Sequence, residues 1–342
     1  MENEVQNILA HYDIGVDYIE HITPSLVKVY SSQGNFALKK LKQGRNPHFT
    51  GMLQELSERG YSNYVSVYPN RQGGAVTPYQ QNLYYLMPWF SSGEETERDE
   101  KHQYLFKEAA LLHRKTMREI DITEEMVTSH YQALKGKWEK NKADYEAYVE
   151  ECEKKWYLSP FELQAITSYI EVSRATDFAL DKLSEWHESA KTKEKARVSL
   201  IHGKLSVHHY LYDDQGTGYF TNLENVHEAS PVNELLIFFE RACNTYPIRC
   251  EECIDWFYTH QKTLPFTEDE MNLFLSYLSY PDRLYKTLRK YKKHNRNAQR
   301  KNELKENTKL MKHYWQFKNI EYTVMRLTDI EEKKKEAAQA QT

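Results

Sequence analysis

The 342-residue sequence has no window of eighteen apolar residues, so nothing in it reads as a membrane-spanning helix. Its opening, MENEVQNILAHYDIG, lacks both a basic stretch and an apolar stretch; no secretory leader is expected, and the protein is expected to stay where it is made. Cysteine is scarce. The four residues Cys152, Cys243, Cys250 and Cys253 fit reduced thiols rather than a disulfide framework in a chain without an export signal. There is no excess of positive charge, the formal net charge being -4, which removes any global attraction to nucleic acid. Internal repeats and low-complexity tracts are missing too, apart from the terminal EEKKKEAAQAQT, which is expected to fray over residues 331–342.

What is present is the composition of a folded protein, 40% apolar and 28% charged, at a length that favours two lobes over one core. Tyrosine is over-represented, with 26 residues against 13 Phe; such rings serve equally in contacts between macromolecules and in a helical core.

Residues 1–90 read as a small sheet with one helix. LVKVYSS (26–32) and FALKKL (36–41) are β-favouring runs joined by Gln33-Gly34, with DYIEHI as an earlier strand. HFTGMLQELSERG (48–60) is a short helix closed by Gly60. VSVYP (65–69), the Gly73-Gly74 pair and LYYLMPWF (83–90) continue as strand, turn and strand. From about residue 100 helices take over, beginning with 104–116. Tyr131, Leu134, Trp138, Asn141, Tyr145, Tyr148 and Cys152 then fall at helical spacing on one face, and Ser159-Pro160 opens a helix reaching about Glu188. ESAKTKEKARV (188–198) reads as an exposed, charged connection. Near the end come a basic run (Lys286, Arg289, Lys290, Lys292, Lys293, Arg296, Arg300, Lys301) and an amphipathic stripe (Leu310, Tyr314, Phe317, Ile320, Val324, Leu327).

The stretch LIHGKLSVHHYLY (200–212) carries the chemistry-bearing pattern. Together with FALK at 36–39, LYYLMPWF, AALLH at 109–113, TNLEN at 221–225 and PVNELL at 231–236, it resembles the aminoglycoside phosphotransferase and choline kinase group. Within that group the chain is most similar to the spore-coat-associated CotS and YutH proteins of endospore-forming bacteria, and LSYLSYPDRLYKTLRKY (275–291) resembles the C-terminal helices of that branch. The resemblance implies an α+β, bilobal, protein-kinase-like fold: an antiparallel-sheet N-lobe over residues 1–90 with one helix, and a helical C-lobe over 91–330.

It also implies where catalytic groups should sit, and this chain departs from them. Lys204 stands where the catalytic Asp is expected, and an ammonium cannot accept the proton of an attacking hydroxyl. His209 stands in place of a metal-binding Asn, and imidazole is a poor partner for Mg²⁺. Asn222 replaces a metal-binding Asp and loses its charge. No glycine occurs in HITPSLVKVY, where a phosphate-covering loop would need one. Lys39, Met87 and Glu224 remain as a candidate nucleotide cleft, with Glu55 as a possible clamp for Lys39. Glu224, two residues beyond Asn222 and on its face if both lie on a strand, is the residue available for a displaced metal site. Asp213 and Asp214 read as a turn.

The expected function is therefore that of a kinase-fold protein with a degenerate site, a structural or assembly component of the spore coat. It would be made in the mother-cell cytoplasm and deposited among coat proteins, with no metal, no cofactor and no nucleic-acid partner. The alternatives are an active small-molecule phosphotransferase using ATP and Mg²⁺, and a pseudokinase that senses nucleotide. Cys250-Glu-Glu-Cys253 has metal or redox spacing, but a structural zinc site usually brings a second close ligand pair, so these are read as core thiols. His208 and His209, adjacent on a strand, would point to opposite faces and make no metal site. His113 and His202 are read as structural, and the basic run as a solvated helix face.

Overall fold

A computed structural model describes residues 2–41, 49–90, 97–244, 249–296 and 303–340. In chain order the elements are α1 (Glu2–Leu9), β1 (Tyr18–Thr23), β2 (Leu26–Ser31), β3 (Gly34–Lys40), α2 (Phe49–Glu58), β4 (Thr77–Tyr79), β5 (Asn82–Pro88) and α3 (Arg98–Thr116). There follow β6 (Arg118–Asp121), α4 (Glu124–Glu153), α5 (Pro160–Ala190), β7 (Lys195–Ile201), β8 (Tyr210–Tyr212), β9 (Gly218–Phe220) and β10 (His227–Ala229). The remainder is helical: α6 (Pro231–Ala242), α7 (Glu252–Thr263), α8 (Glu268–Ser279), α9 (Asp282–Arg296) and α10 (Glu303–Gln339). The fold is thus mixed α+β, an antiparallel sheet in the N-terminal region and mostly helix in the C-terminal part.

By its internal contacts the chain divides into two units, one of residues 1–117 with 199–229 and the other of 118–198 with 230–342. Segment 199–229 belongs with the sheet because its backbone is tied there: the Phe220 amide donates to Asn63 and the Val65 amide to Phe220, both at 2.9 Å.

In the first unit the sheet order is β1-β2-β3-β5-β4, antiparallel throughout. Period-2 alternation sorts its side chains. Val27, Val29, Phe36, Leu38, Tyr84 and Leu86 form one buried face, covered by Val5, Ile8 and Leu9 of α1. The opposite face carries Ala37 and Lys39 on β3, registered against Met87 and Tyr85 on β5. Helix α2 lays Phe49 on Tyr85, with ring centroids 5.2 Å apart, and ends at Gly60, whose φ is +76°, as a left-handed C′ glycine does.

In the second unit several tyrosines are core. Tyr145 donates to the Ala165 carbonyl at 2.6 Å, Tyr285 bonds Thr176 at 2.7 Å, and the Tyr280 hydroxyl accepts from Asn141 at 2.6 Å, so each ring is buried with its hydroxyl satisfied. Helix α5 begins at a full capping box, the Ser159 side chain and Glu162 bonding each other's backbone amides. Leu310, Phe317, Val324 and Leu327 of the expected stripe are buried along α10.

Several expectations are corrected. VSVYP is not a strand; it makes one isolated bridge, Tyr68 to Leu86, and Tyr64 just ahead of it makes another to Phe220. The β2–β3 turn is Ser32-Gln33, since Ser31 already pairs with Gly34. ESAKTKEKARV is not a free connection: α5 runs to Ala190 and β7 starts at Lys195, pairing with β6. The tail does not fray at residue 331, because Glu331 accepts from Tyr258 at 2.8 Å, Lys334 lies over the Tyr258 ring and Lys335 pairs with Glu268 at 2.6 Å. Cys250 and Cys253 form a disulfide; Cys250 precedes the first turn of α7 and Cys253 lies in it, which brings their Cα atoms to 5.4 Å, within bridging range. Cys152 and Cys243 are buried free thiols, as expected. Helix α1 was not foreseen, although Val5, Ile8 and Leu9 are spaced for it. Of the basic run, Arg300 and Lys301, and the side chain of Arg296, lie outside the described residues.

Candidate functional site

The site lies wholly within the first unit, between the Lys39 face of the sheet and the two segments 202–209 and 221–225. Gly203 makes the first segment possible. Its φ is +71°, and a Cβ there would stand 2.5 Å from the Asn225 carbonyl oxygen, so no side chain fits. His202, fully buried, braces the same turn: its Nδ1 accepts from the Lys204 amide at 3.2 Å, which leaves Nε2–H to donate to the Thr221 carbonyl at 2.8 Å. It is a structural histidine, as read from the sequence.

His208 and His209 sit in a 3₁₀ turn, Val207–His209, not on a strand. His209 Nδ1–H donates to the Lys204 carbonyl at 3.0 Å, so its Nε2 is an acceptor and takes the Asn222 amide at 3.2 Å. Burial, with His202, Lys204 and Lys39 nearby, holds the His209 pKa down at about 3, against the lesser upward pull of the Lys204 carbonyl; the ring is neutral at physiological pH. Asn222 adopts φ +66°, a left-handed conformation that Asn tolerates better than most residues. With its amide nitrogen turned to His209, its Oδ1 accepts from Lys39 Nζ.

Lys39 also pairs with Glu224 Oε1 at 2.9 Å, and Glu224 Oε2 accepts from the Tyr85 hydroxyl at 3.2 Å. Residues 223–225 form a second 3₁₀ turn, so Glu224 reaches the site from a turn rather than from a strand shared with Asn222. Burial raises its carboxyl pKa, but the Lys39 ammonium, the Glu224 backbone amide and the Tyr85 hydroxyl together outweigh this and the net direction is downward. The Tyr85 hydroxyl moves the other way, pushed up by burial and then by Glu224.

The result is one continuous chain of partners: Lys204 carbonyl, His209, Asn222, Lys39, Glu224, Tyr85. Lys39, His209, Asn222 and Glu224 come together, and Met87 shares their strand face two residues from Tyr85. Glu55 does not join them; it pairs with Arg59 one helical turn away. Asp213 caps its own turn, accepting from Gln215 and Thr217. Tyr85 was missed, although its period-2 relation to Met87 placed both on one face.

The residues do not fit Mg²⁺. The carboxylate of the network is already neutralised by an ammonium, and the neighbouring positions present an imidazole and a neutral amide, whereas Mg²⁺ asks for anionic oxygen. Among the described residues no group of three His, Cys, Asp or Glu could hold a metal ion. The hydrogen-bond directions fix both groups: a flipped Asn222 would set its oxygen against an acceptor nitrogen, and a Nε2–H tautomer of His209 would set two donors together.

No protein-family model matches the sequence, and no curated protein matches it. Solved structures do match in fold. An aminoglycoside phosphotransferase from Alicyclobacillus acidocaldarius subsp. acidocaldarius DSM 446 is similar over 95% of this chain and 95% of its own, at 13% identity and a TM-score of 0.67. A microcompartment-associated aminopropanol kinase is similar over 92% and 95%, at 15% identity and 0.55. A spectinomycin phosphotransferase, solved with ADP and spectinomycin, is similar over 93% and 98%, at 9% identity and 0.55. The fold is kinase-like.

Proposed function

We propose that this chain is a kinase-fold protein that has lost phosphoryl transfer and serves as a structural or assembly component. The observation that carries the reading is the ion pair of Lys39 with Glu224. The ammonium that would hold phosphate instead neutralises the one carboxylate of the network, while Lys204 leaves no proton acceptor at the expected base position. Phosphoryl transfer is mostly positioning and charge stabilisation, and a missing general base alone is worth about 10²–10⁴-fold. The deposition site proposed is the bacterial endospore coat, after synthesis in the mother-cell cytoplasm; this part rests on the sequence resemblance to the CotS and YutH proteins.

Calorimetric titration with ATP, with and without Mg²⁺, tests the loss. The expected result is no Mg²⁺-dependent heat and no ADP release. Metal-dependent micromolar binding with turnover would establish an active small-molecule phosphotransferase instead, and metal-independent binding abolished by Lys39→Ala would establish a nucleotide sensor. Restoring the charges with Lys204→Asp, His209→Asn and Asn222→Asp together asks whether turnover can return. Immunodetection in purified coat fractions against mother-cell lysate tests the location.

A further inference from the structure

Helices α4 and α9 run side by side in the same direction. Asn141 of α4 reaches Tyr280, just ahead of α9, at 2.6 Å, and further along Glu151 of α4 pairs with Lys292 of α9 at 3.3 Å. Between these ties lies a cavity of about 420 Å³, within the size range of small-molecule sites, and ~10 Å long from the helical rise between Asn141 and Tyr148. It shares no residue with the network around Lys39.

Its floor is apolar. Tyr145, Tyr148, Tyr285 and Leu288 line it, all buried, and the Tyr145 and Tyr285 hydroxyls are spent on α5, at Ala165 and Thr176. Those tyrosines therefore offer rings rather than hydrogen bonds. Its rim is cationic, because positions 289, 292 and 293 fall on one side of α9 at spacings of three and four. Arg289, Lys292 and Lys293 stand there against Asp144, the one carboxylate among the described lining residues. Lys292 is held by Glu151 and lies 5.5 Å from the Tyr148 ring centroid. Arg289 and Lys293, both exposed, pair with no carboxylate among the described residues.

We infer that this groove binds small organic anions with a flat aromatic body. The body lies on the tyrosine and leucine floor, and the anionic group, whether carboxylate, phosphate or sulfonate, is held by Arg289 and Lys293. The limited volume of the groove selects a small molecule over a polymer, and the excess of cations selects the sign of charge. Part of the basic run is then the polar wall of a site and not a solvated face.

The test uses the full chain and 1-anilinonaphthalene-8-sulfonate as a fluorescent probe at low salt. Saturable one-to-one binding is expected. Arg289→Glu with Lys293→Glu should weaken it at least about tenfold, the loss of one charge-assisted contact, with an unchanged melting temperature because both residues are exposed. Leu288→Trp, which fills the floor, should weaken it similarly, while Arg71→Glu on the other unit should not. 2-Naphthoate should displace the probe and 2-naphthol should not. Absence of saturable binding, insensitivity to the double charge reversal, or equal displacement by the uncharged naphthol would each overturn the inference.

Discussion

A largely buried lysine needs an anion, and in this chain Lys39 takes it from Glu224 rather than from a phosphate. The two side chains are 16% and 6% exposed, so removing one partner strands a charge away from water, which typically costs about 3–5 kcal/mol. Lys39→Met and Glu224→Met should each lower the unfolding free energy of the first unit, read from urea melts, by that amount, and the double variant should lose much less than their sum. Additive losses would show that the two do not act as a pair. His209 makes a second prediction. Its folded pKa, about 3, lies below the unfolded value of about 6.5, so between those values the unfolded chain binds more protons and stability falls with falling pH. The slope is at most about 1.4 kcal/mol per pH unit, and His209→Asn should remove it; denaturant melts at pH 7, 6 and 5 would measure the difference. Glu224 acts lower in the pH range, its lowered pKa keeping the ion pair present above about pH 4.3 and losing it as pH falls through the folded value. At this scale residue types were readable and partners were not. Lys204, His209 and Asn222 stood out as substitutions, but that Glu224 would choose Lys39 depends on Gly203 and the left-handed Asn222 placing two loops against a strand face.

Among the elements, legibility followed periodicity. The long helices declared themselves through buried residues three and four apart, from Trp138 to Cys152 and from Leu310 to Leu327, and the hairpins through alternation. Failures fell where structure comes from elsewhere in the chain. VSVYP has strand propensity, yet it bridges only at Tyr68, and Tyr64 ahead of it bridges separately, because Leu86 and Phe220 meet this stretch at single points; β7 looks like a charged connector, and is a strand because β6 and β10 flank it. Local signals that need no partner held well, and the capping box of α5 is the clearest. Ser159 there accepts from the Glu162 amide, and Glu162 from the Ser159 amide at 2.9 Å. Ser159→Ala should cost about 1 kcal/mol in urea unfolding of the second unit and leave the first unit's transition in place. A loss below the error of the fit would mean that the stacking of Phe161 on Tyr291 at 3.7 Å and the Lys155–Glu162 ion pair, not the cap, hold this end of the helix.

For the molecule as a whole, α10 decides whether the helical unit closes. Leu310, Phe317, Val324 and Leu327 are each 5% exposed or less, and burying such side chains is worth roughly 1.5–3 kcal/mol apiece. Four of them together are comparable with the roughly 5–15 kcal/mol that separates folded from unfolded domains. A chain ending at Lys301 should therefore fail to give a cooperative transition for the second unit. A chain ending at Glu332 keeps all four and the Tyr258–Glu331 bond, losing the cation over Tyr258 and the exposed Lys335–Glu268 pair, contacts worth at most about 1 kcal/mol each. Its melting temperature should drop by only a few degrees. The tail's helicity is thus set by what it lies against: the sequence EEKKKEAAQAQ has no apolar stripe of its own, and it stays helical to Gln339 because α7 and α8 present Tyr258 and Glu268 to it. If the chain ending at Glu332 lost its cooperative transition as well, the last turns would be a structural part of the unit rather than an extension resting on it.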